Sequence, residues 1–240
     1  MKKILYAIFV FVLVITLCAC GENVNENNTD VKNNENVNDS TQTAEVSTNS
    51  STNETSSNEE KITFEALNSS KETKAEKFLY EEIEGKISIT SYIGDDEIVV
   101  IPQKIENNDV AQIGKDAFSN NDTIKAVKLA NTVEVVGNEA FINCYSLELF
   151  VSGNGLKKIG DYAFAACNSL TNVYLNDGLV SLGLSCFYAT KLKEIIVPSS
   201  VTNINYAFPE SDKEAFTIIA ETGSPAETFA LENGYNFQEK

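Results

Sequence analysis

Ile159-Gly160-Asp161-Tyr162-Ala163-Phe164-Ala165-Ala166-Cys167-Asn168-Ser169-Leu170-Thr171-Asn172-Val173-Tyr174-Leu175 decides the fold, because its main positions return along the chain at near-constant spacing. Ile113-Gly114 with Ala117-Phe118, Val136-Gly137 with Ala140-Phe141, Leu182-Gly183 with Cys186-Phe187, and Ile204-Asn205 with Ala207-Phe208 are the other copies. The phenylalanines stand at 118, 141, 164, 187 and 208, so the period is 23 residues until it shortens at the end. Self-similarity at such a period marks a solenoid, in which each unit buries its apolar face only against its neighbours. Leu170, Val173 and Leu175, like Leu192, Ile195 and Val197, have the spacing of a strand whose alternate residues enter a core. Stacked copies of that strand build a parallel sheet. The return path then needs inward apolar groups, a small residue for close approach and a Gly for the bend, and Ile-Gly-x-x-Ala-Phe supplies all three. The five phenylalanines form a ladder, with Phe164 in its middle and Phe208, at the degenerate end, expected to matter less.

Outward from the repeats, Phe78-Leu79-Tyr80 and Ile87 to Ile93 alternate around Glu84-Gly85, and Gly94-Asp95-Asp96 turns the chain into Glu97 to Pro102. This reads as a β meander capping the first coil. At the far end Ser224, Pro225, Glu227 and Gly234 are an N-cap, a first-turn proline, a capping-box acid and a stop, which describe a short helix. Repeat two has Ser152 where Leu129 and Leu175 stand, and repeat four lacks a residue between Phe187 and Leu192. Irregular stacking is expected near residues 150–155.

Ile-Gly-x-x-Ala-Phe-x-x-Cys-x-x-Leu-x-x-Val-x-Leu resembles the BspA-type leucine-rich repeat of bacterial surface proteins, over about residues 78–240. The resemblance implies an α/β leucine-rich-repeat solenoid: a parallel sheet on one face, short helical turns, a β-hairpin N-cap and a short C-terminal helix. It also implies surface binding or adhesion. It transfers no catalytic residue. Asn121 and Thr190 depart from the repeat's Cys, whereas Cys144 and Cys167 keep it.

The N-terminus reads differently. Met1-Lys2-Lys3 precedes an apolar run from Ile4 to Leu17, too short to span a bilayer but suited to a signal peptide over residues 1–19. Leu17-Cys18-Ala19-Cys20 resembles the lipobox of bacterial lipoproteins, which implies that Cys20 is lipidated and begins the mature chain. The alternative is ordinary secretion with cleavage nearby. Residues 20–60 form a tether: from 21 to 60 there are 11 Asn, nine acids, one Lys and four Val, too little apolar surface to offset the entropy of ordering. About 40 such residues span roughly 35 Å on average. Residues 61–77, with isolated Phe64 and Leu67, are a boundary before the repeat domain at 78–240.

Composition removes whole classes of function. The net charge is −17 with no basic stripe, which disfavours nucleic acid. There is no His, so neither a Ser-His-Asp nor a Cys-His arrangement can be built, nor any His-ligated metal site. Cys144, Cys167 and Cys186 are an odd set, and Cys144 and Cys167 fall at one repeat position, where stacked side chains point the same way; free buried thiols are expected over a bridge. Asp95-Asp96-Glu97 reads as a solvated turn in preference to a calcium loop. No cofactor or catalytic residue is implied, and Glu81-Glu82 is the only raw material for a hydrolase.

If Val99, Val127, Phe150, Val173, Ile195 and Phe216 face inward, their neighbours line the outer sheet face. Ile98, Val100, Leu149, Val151, Asn172, Tyr174 and Ile196 then make an apolar patch of the kind that marks ligand sites. Two other readings stand beside this one: β-branched residues simply suit strands, or Ile62 to Leu67 fold over them. The function that follows is a lipid-anchored surface module binding an extracellular or envelope protein, with the membrane as second partner through Cys20; the alternative is assembly with other envelope proteins. Cys20→Ser should leave either a soluble chain or an uncleaved precursor, because one signal-type run provides no other lasting anchor. Detergent partitioning checks this, and a variant of mature size in the detergent phase would refute it.

Overall fold

The structure, a computed structural model, describes residues 62–209 and 213–240; the signal segment, Cys20 and the tether lie outside them. Residues 61–77, read as a boundary, hold a short helix α1 (Phe64–Ser69) and a 3-10 turn (Ala75–Lys77). β1 (Phe78–Ile83) and β2 (Lys86–Tyr92) form the expected hairpin, closed by Glu84 and Gly85, both at positive φ (51° and 77°) as a two-residue primed turn requires. β3 (Ile98–Val100) begins the repeats. A second hairpin, β4 (Lys104–Ile105) with β5 (Asn108–Ile113), turns on Glu106 and Asn107 at φ 51° and 72°.

Each following coil carries two short strands. They are β6 (Ala126–Lys128) and β7 (Val135–Val136), β8 (Leu149–Val151) and β9 (Lys158–Ile159), β10 (Asn172–Tyr174) and β11 (Ser181–Leu182), then β12 (Glu194–Ile196) and β13 (Asn203–Ile204). The chain ends in β14 (Thr217–Ala220), α2 (Pro225–Asn233) and β15 (Asn236–Glu239). The result is a solenoid of about seven turns.

The leucine-type strands build the sheet β3-β6-β8-β10, and the Ile-Gly segments build a second, mainly parallel sheet, β1-β2-β5-β7-β9-β11-β13, with β4 on β5. The segments expected to bend on Gly are therefore strands. Gly137 and Gly160 have ordinary negative φ, and their function is close approach: a Cβ on Gly160 would lie 2.6 Å from Asn138 N and one on Gly137 2.8 Å from Gly114 C, inside contact distance. The bend falls two residues later, at Asp116, Glu139, Tyr162 and Ser185, all at positive φ. A second left-handed residue follows Phe by two, at Asn120, Asn143, Ala166 and Ala189. Between these points the N–H groups of Asp116, Phe118 and Asn120 donate to the carbonyls of Asn138, Ala140 and Ile142 in the next coil. The turns too are laddered, and they are not helical.

The core lies between the two sheets and the turns. Phe118, Phe141, Phe164, Phe187 and Phe208 stack at 4.7, 5.1, 5.5 and 6.3 Å between ring centroids, and Tyr92 extends the ladder at 5.2 Å from Phe118. At the first coil Asp96 takes hydrogen bonds from Lys77 Nζ (2.7 Å) and the Tyr92 hydroxyl (2.6 Å). Those bonds hold the Asp96 carboxyl below its ordinary value, while burial, with the Asp96 bond adding to it, pushes Tyr92 up to about 12. The acidic turn thus ties down the cap.

Two expectations about stacking are corrected. Residues 150–155 are regular: Phe150 pairs in step with Val127 and Val173, and Ser152 Oγ finds Asn176 Oδ1 at 3.2 Å. The break falls one coil later, between β10 and β12, which share no ladder; β12 pairs instead with β14, and β14 with β15. In that sheet Ile218, not Phe216, aligns with Ile195. A shift of two residues keeps the inward side the same, so Phe216 is still buried, against Phe208.

Phe208 is not a weak end. It is 1% exposed and ringed by Phe187, Phe216, Phe229 and Tyr235 at 5.5 to 6.3 Å. Phe164→Ala and Phe208→Ala should each cost about 3–5 kcal/mol. A urea melt in which Phe208→Ala costs under about a third of Phe164→Ala would show that the C-terminal cap does not close the core.

Candidate functional site

Strand alternation and parallel register place the proposed residues in two columns on the outer face of the leucine-type sheet. Ile98, Ala126, Leu149 and Asn172 stand side by side in one, and Val100, Lys128, Val151 and Tyr174 in the other. Over these four strands the columns form as expected, but Ile196, expected to continue the second, stands on β12 in a different sheet. The exposure of the columns differs from the expectation.

α1 lies across the first three strands. Leu67 is fully buried with Val100, Ala126, Leu149 and Val151, and Ile62, Phe64 and Ile98 pack around that cluster. Val100, Leu149 and Val151 are 7%, 3% and 6% exposed, which corrects the reading of an open apolar patch. The cause is the apolar spacing of Phe64 and Leu67 on one helical face, with Thr63 as N-cap accepting from Ala66 N–H at 3.2 Å. The following segment binds the free edge of β3: Thr73 N–H donates to Val100 O (2.8 Å) and Val100 N–H to Thr73 Oγ1 (3.0 Å). An exposed sheet edge is thereby closed. Thr63, Phe64 and Leu67 carried this signal in the sequence, but so short a helix leaves little periodicity to read.

Three of the seven residues lie beyond the cover. Asn172 is half-buried, while Tyr174 and Ile196 are 43% and 46% exposed. The Phe64 ring meets Tyr174 at 4.7 Å between centroids, so the aromatic marks the rim of the covered area. Between Tyr174 and Ile196 opens a groove of about 390 Å³ on the break between β10 and β12, lined by Val173, Leu175, Glu194, Ile195 and, at one side, Lys240. Its size falls within the roughly 300–1,000 Å³ of ordinary binding clefts.

The chemistry of the domain is that of a surface. Cys144 and Cys167 are unbridged and buried, and each thiol donates to the carbonyl of the preceding coil's phenylalanine, Phe118 or Phe141, at 3.1 Å. The hydrogen bond with Cys144, and then burial, push the Cys167 thiol far up; burial does the same to Cys186. Neither is a nucleophile. Among the described residues no acidic or cysteine cluster could hold a metal ion. Glu81 and Glu82 are exposed neighbours on β1, whose side chains alternate across the strand, so they form no catalytic pair.

Leu67→Ala should destabilise the domain by at least about 2 kcal/mol and raise the binding of an apolar dye, since the strands beneath lose their cover. An unchanged melt would mean that α1 is not seated.

The sequence profile of the BspA type leucine-rich repeat region, in six copies, matches residues 99–214. Among solved structures, the chain is similar to a leucine-rich repeat protein of T. pallidum, with 29% identity and a TM-score of 0.59 over 62% of this chain and 71% of that one. It is also similar to a leucine-rich repeat protein of Bacteroides ovatus, with 28% identity and a TM-score of 0.53, over 60% of this chain but only 39% of that one. Among curated protein sequences none matches. Proteins of this fold are typically binding modules and not enzymes. Repeats, parallel ladders and these similarities support a leucine-rich-repeat domain, with the BspA-type profile confined to residues 99–214.

Proposed function

We propose that this chain is a lipid-anchored binding module displayed outside the cytoplasm, which engages an extracellular or envelope protein through the open end of its leucine-type sheet. The lipobox-like Cys20 supports the anchor, and residues 21–60 supply the reach. One observation carries the binding site: beyond the strands that α1 covers, Tyr174 on β10 and Ile196 on β12 stand exposed on either side of a groove. A large amphipathic ring beside an apolar cleft is the usual anchor of a protein contact. The similarity to repeat domains of bacterial proteins agrees with such a module.

A photocrosslinking residue at position 174 or 196, compared with one at Tyr188, an exposed position on a turn between the sheets, tests the site on intact cells. Discrete adducts should form from 174 and 196, and their mass spectra should name either an envelope protein or a foreign one. Adducts from 188 alone would move the site to the turns.

A further inference from the structure

β10 and β12 are adjacent coils of one solenoid, yet their main chains do not pair, and the bonds they make elsewhere show what is left open. Asn172 N–H donates to Glu148 O, and Ser152 N–H to Tyr174 O, so residues 172 and 174 turn their main-chain groups toward β8. The N–H and C=O of Val173 therefore face the other way, into the groove. On the opposite wall Thr217 N–H donates to Lys193 O and Val197 N–H to Ile219 O, which commits 193, 195 and 197 to β14. Glu194 and Ile196 present their N–H and C=O groups to the groove. Along this side the two coils share a main-chain bond at the groove's inner end, where Lys191 N–H donates to Leu170 O at 3.0 Å.

Burial shows the same opening independently. Val99, Val127, Phe150 and Ile195, the inward residues of the other repeat strands, are at most 2% exposed, but Val173 is only half-buried. Ile101, Leu129 and Val197 are buried, and Leu175 at the matching position is not. The residue missing between Phe187 and Leu192 draws the fourth coil out of step with the third, and β10 and β12 share no ladder beyond the bond at Lys191.

We propose that this groove is a strand-addition site that takes an extended polypeptide segment of the protein ligand. The proposal rests on the binding reading and names the partner's chemistry. Two walls of amides and carbonyls that have no main-chain partner among the described residues select a main chain, which offers both donors and acceptors in alternation, over a lipid or a sugar. The floor of Val173, Leu175 and Ile195 selects apolar side chains at every second position, and the exposed rim of Asn172, Tyr174, Glu194 and Ile196 accepts the intervening polar ones. Seating the segment separates the coils further on this side, while β11, paired on both sides with β9 and β13, holds them together on the other.

The test uses random dodecapeptides displayed on phage, selected on the detergent-solubilised full chain and then synthesised. Ile196→Pro removes an N–H that the fold does not use and blocks that wall. The selected peptides should bind about tenfold or more weakly to it, and N-methylation of alternate peptide amides should cost as much. Amide exchange at Val173, Glu194 and Ile196 should be fast in the free chain and slowed by peptide, whereas Val127 and Phe150 stay protected throughout; their protection in Ile196→Pro also certifies its fold. Peptides that tolerate N-methylation, or no enrichment over Ile196→Pro, would overturn strand addition. A dimer in sedimentation that Ile196→Pro splits would overturn it too, by putting a second copy of this chain in the groove. If crosslinks from 174 and 196 persist on cells in those cases, the module still binds there, through side chains alone.

Discussion

The rest of the domain depends on a close approach of backbones that leaves no room for a Cβ. Gly137 N–H reaches Ile113 O and Gly160 N–H reaches Val136 O, both at 2.8 Å, because nothing projects from either glycine toward the coil before it. With the coils that near, three further features follow. The Ile-Gly segments become strands, the Phe rings stack, and the left-handed turn residues find acceptors in the next coil. Those residues are costly by themselves, roughly 1–2 kcal/mol each for a side chain larger than Gly. The inter-coil hydrogen bonds and the buried rings offset that cost in every repeat, so each feature stabilises the others and none stands alone.

A stack built this way has two ends, and both are closed with aromatic groups. Tyr92, with Phe78 behind it, continues the ladder at the first coil, and Phe229 with Tyr235 covers Phe208 at the last. The C-terminal cap adds a device of its own: α2 starts on Ser224, whose Oγ accepts from Glu227 N–H, and stops at Gly234 with φ 75°, returning the chain as β15 alongside β14. The crossover supplies the parallel edge that the repeat pattern no longer encodes beyond Phe208.

Legibility followed periodicity. Positions that recur every 23 residues, such as Phe141, Phe164 and Cys167, could be placed in the core from pattern alone, whereas Gly160, read as a bend, is a point of close approach to the preceding coil. The turn at Glu84-Gly85 and the helix at Ser224-Pro225 were also legible, because caps and primed turns are chemical signals in single residues. Three things were not legible. The helical form of α1 was one: cover by Ile62 to Leu67 stood among the readings of the sheet face and is what occurs, but a six-residue helix has no period that selects it. The alignment of Ile218 with Ile195 is a two-residue slip from the expected register, and such a slip leaves the alternation unchanged. The break at β10 and β12 arises from one missing residue whose effect appears in the strand after it, while Ser152, the more conspicuous substitution, is absorbed by a single side-chain bond to Asn176.

The two corrections to the sheet face have one consequence. α1 withdraws Val100, Leu149 and Val151 from solvent at the N-terminal end, and the short fourth repeat opens Val173 and Leu175 at the other. Apolar surface is therefore exposed where stacking fails, next to main-chain groups that stacking would otherwise have used. A fully regular array would satisfy its own hydrogen bonds along the whole sheet and could offer a partner only side chains. Here an irregularity in the repeat leaves Tyr174 and Ile196 flanking backbone groups with no main-chain partner among the described residues, and on those groups the proposed strand addition rests.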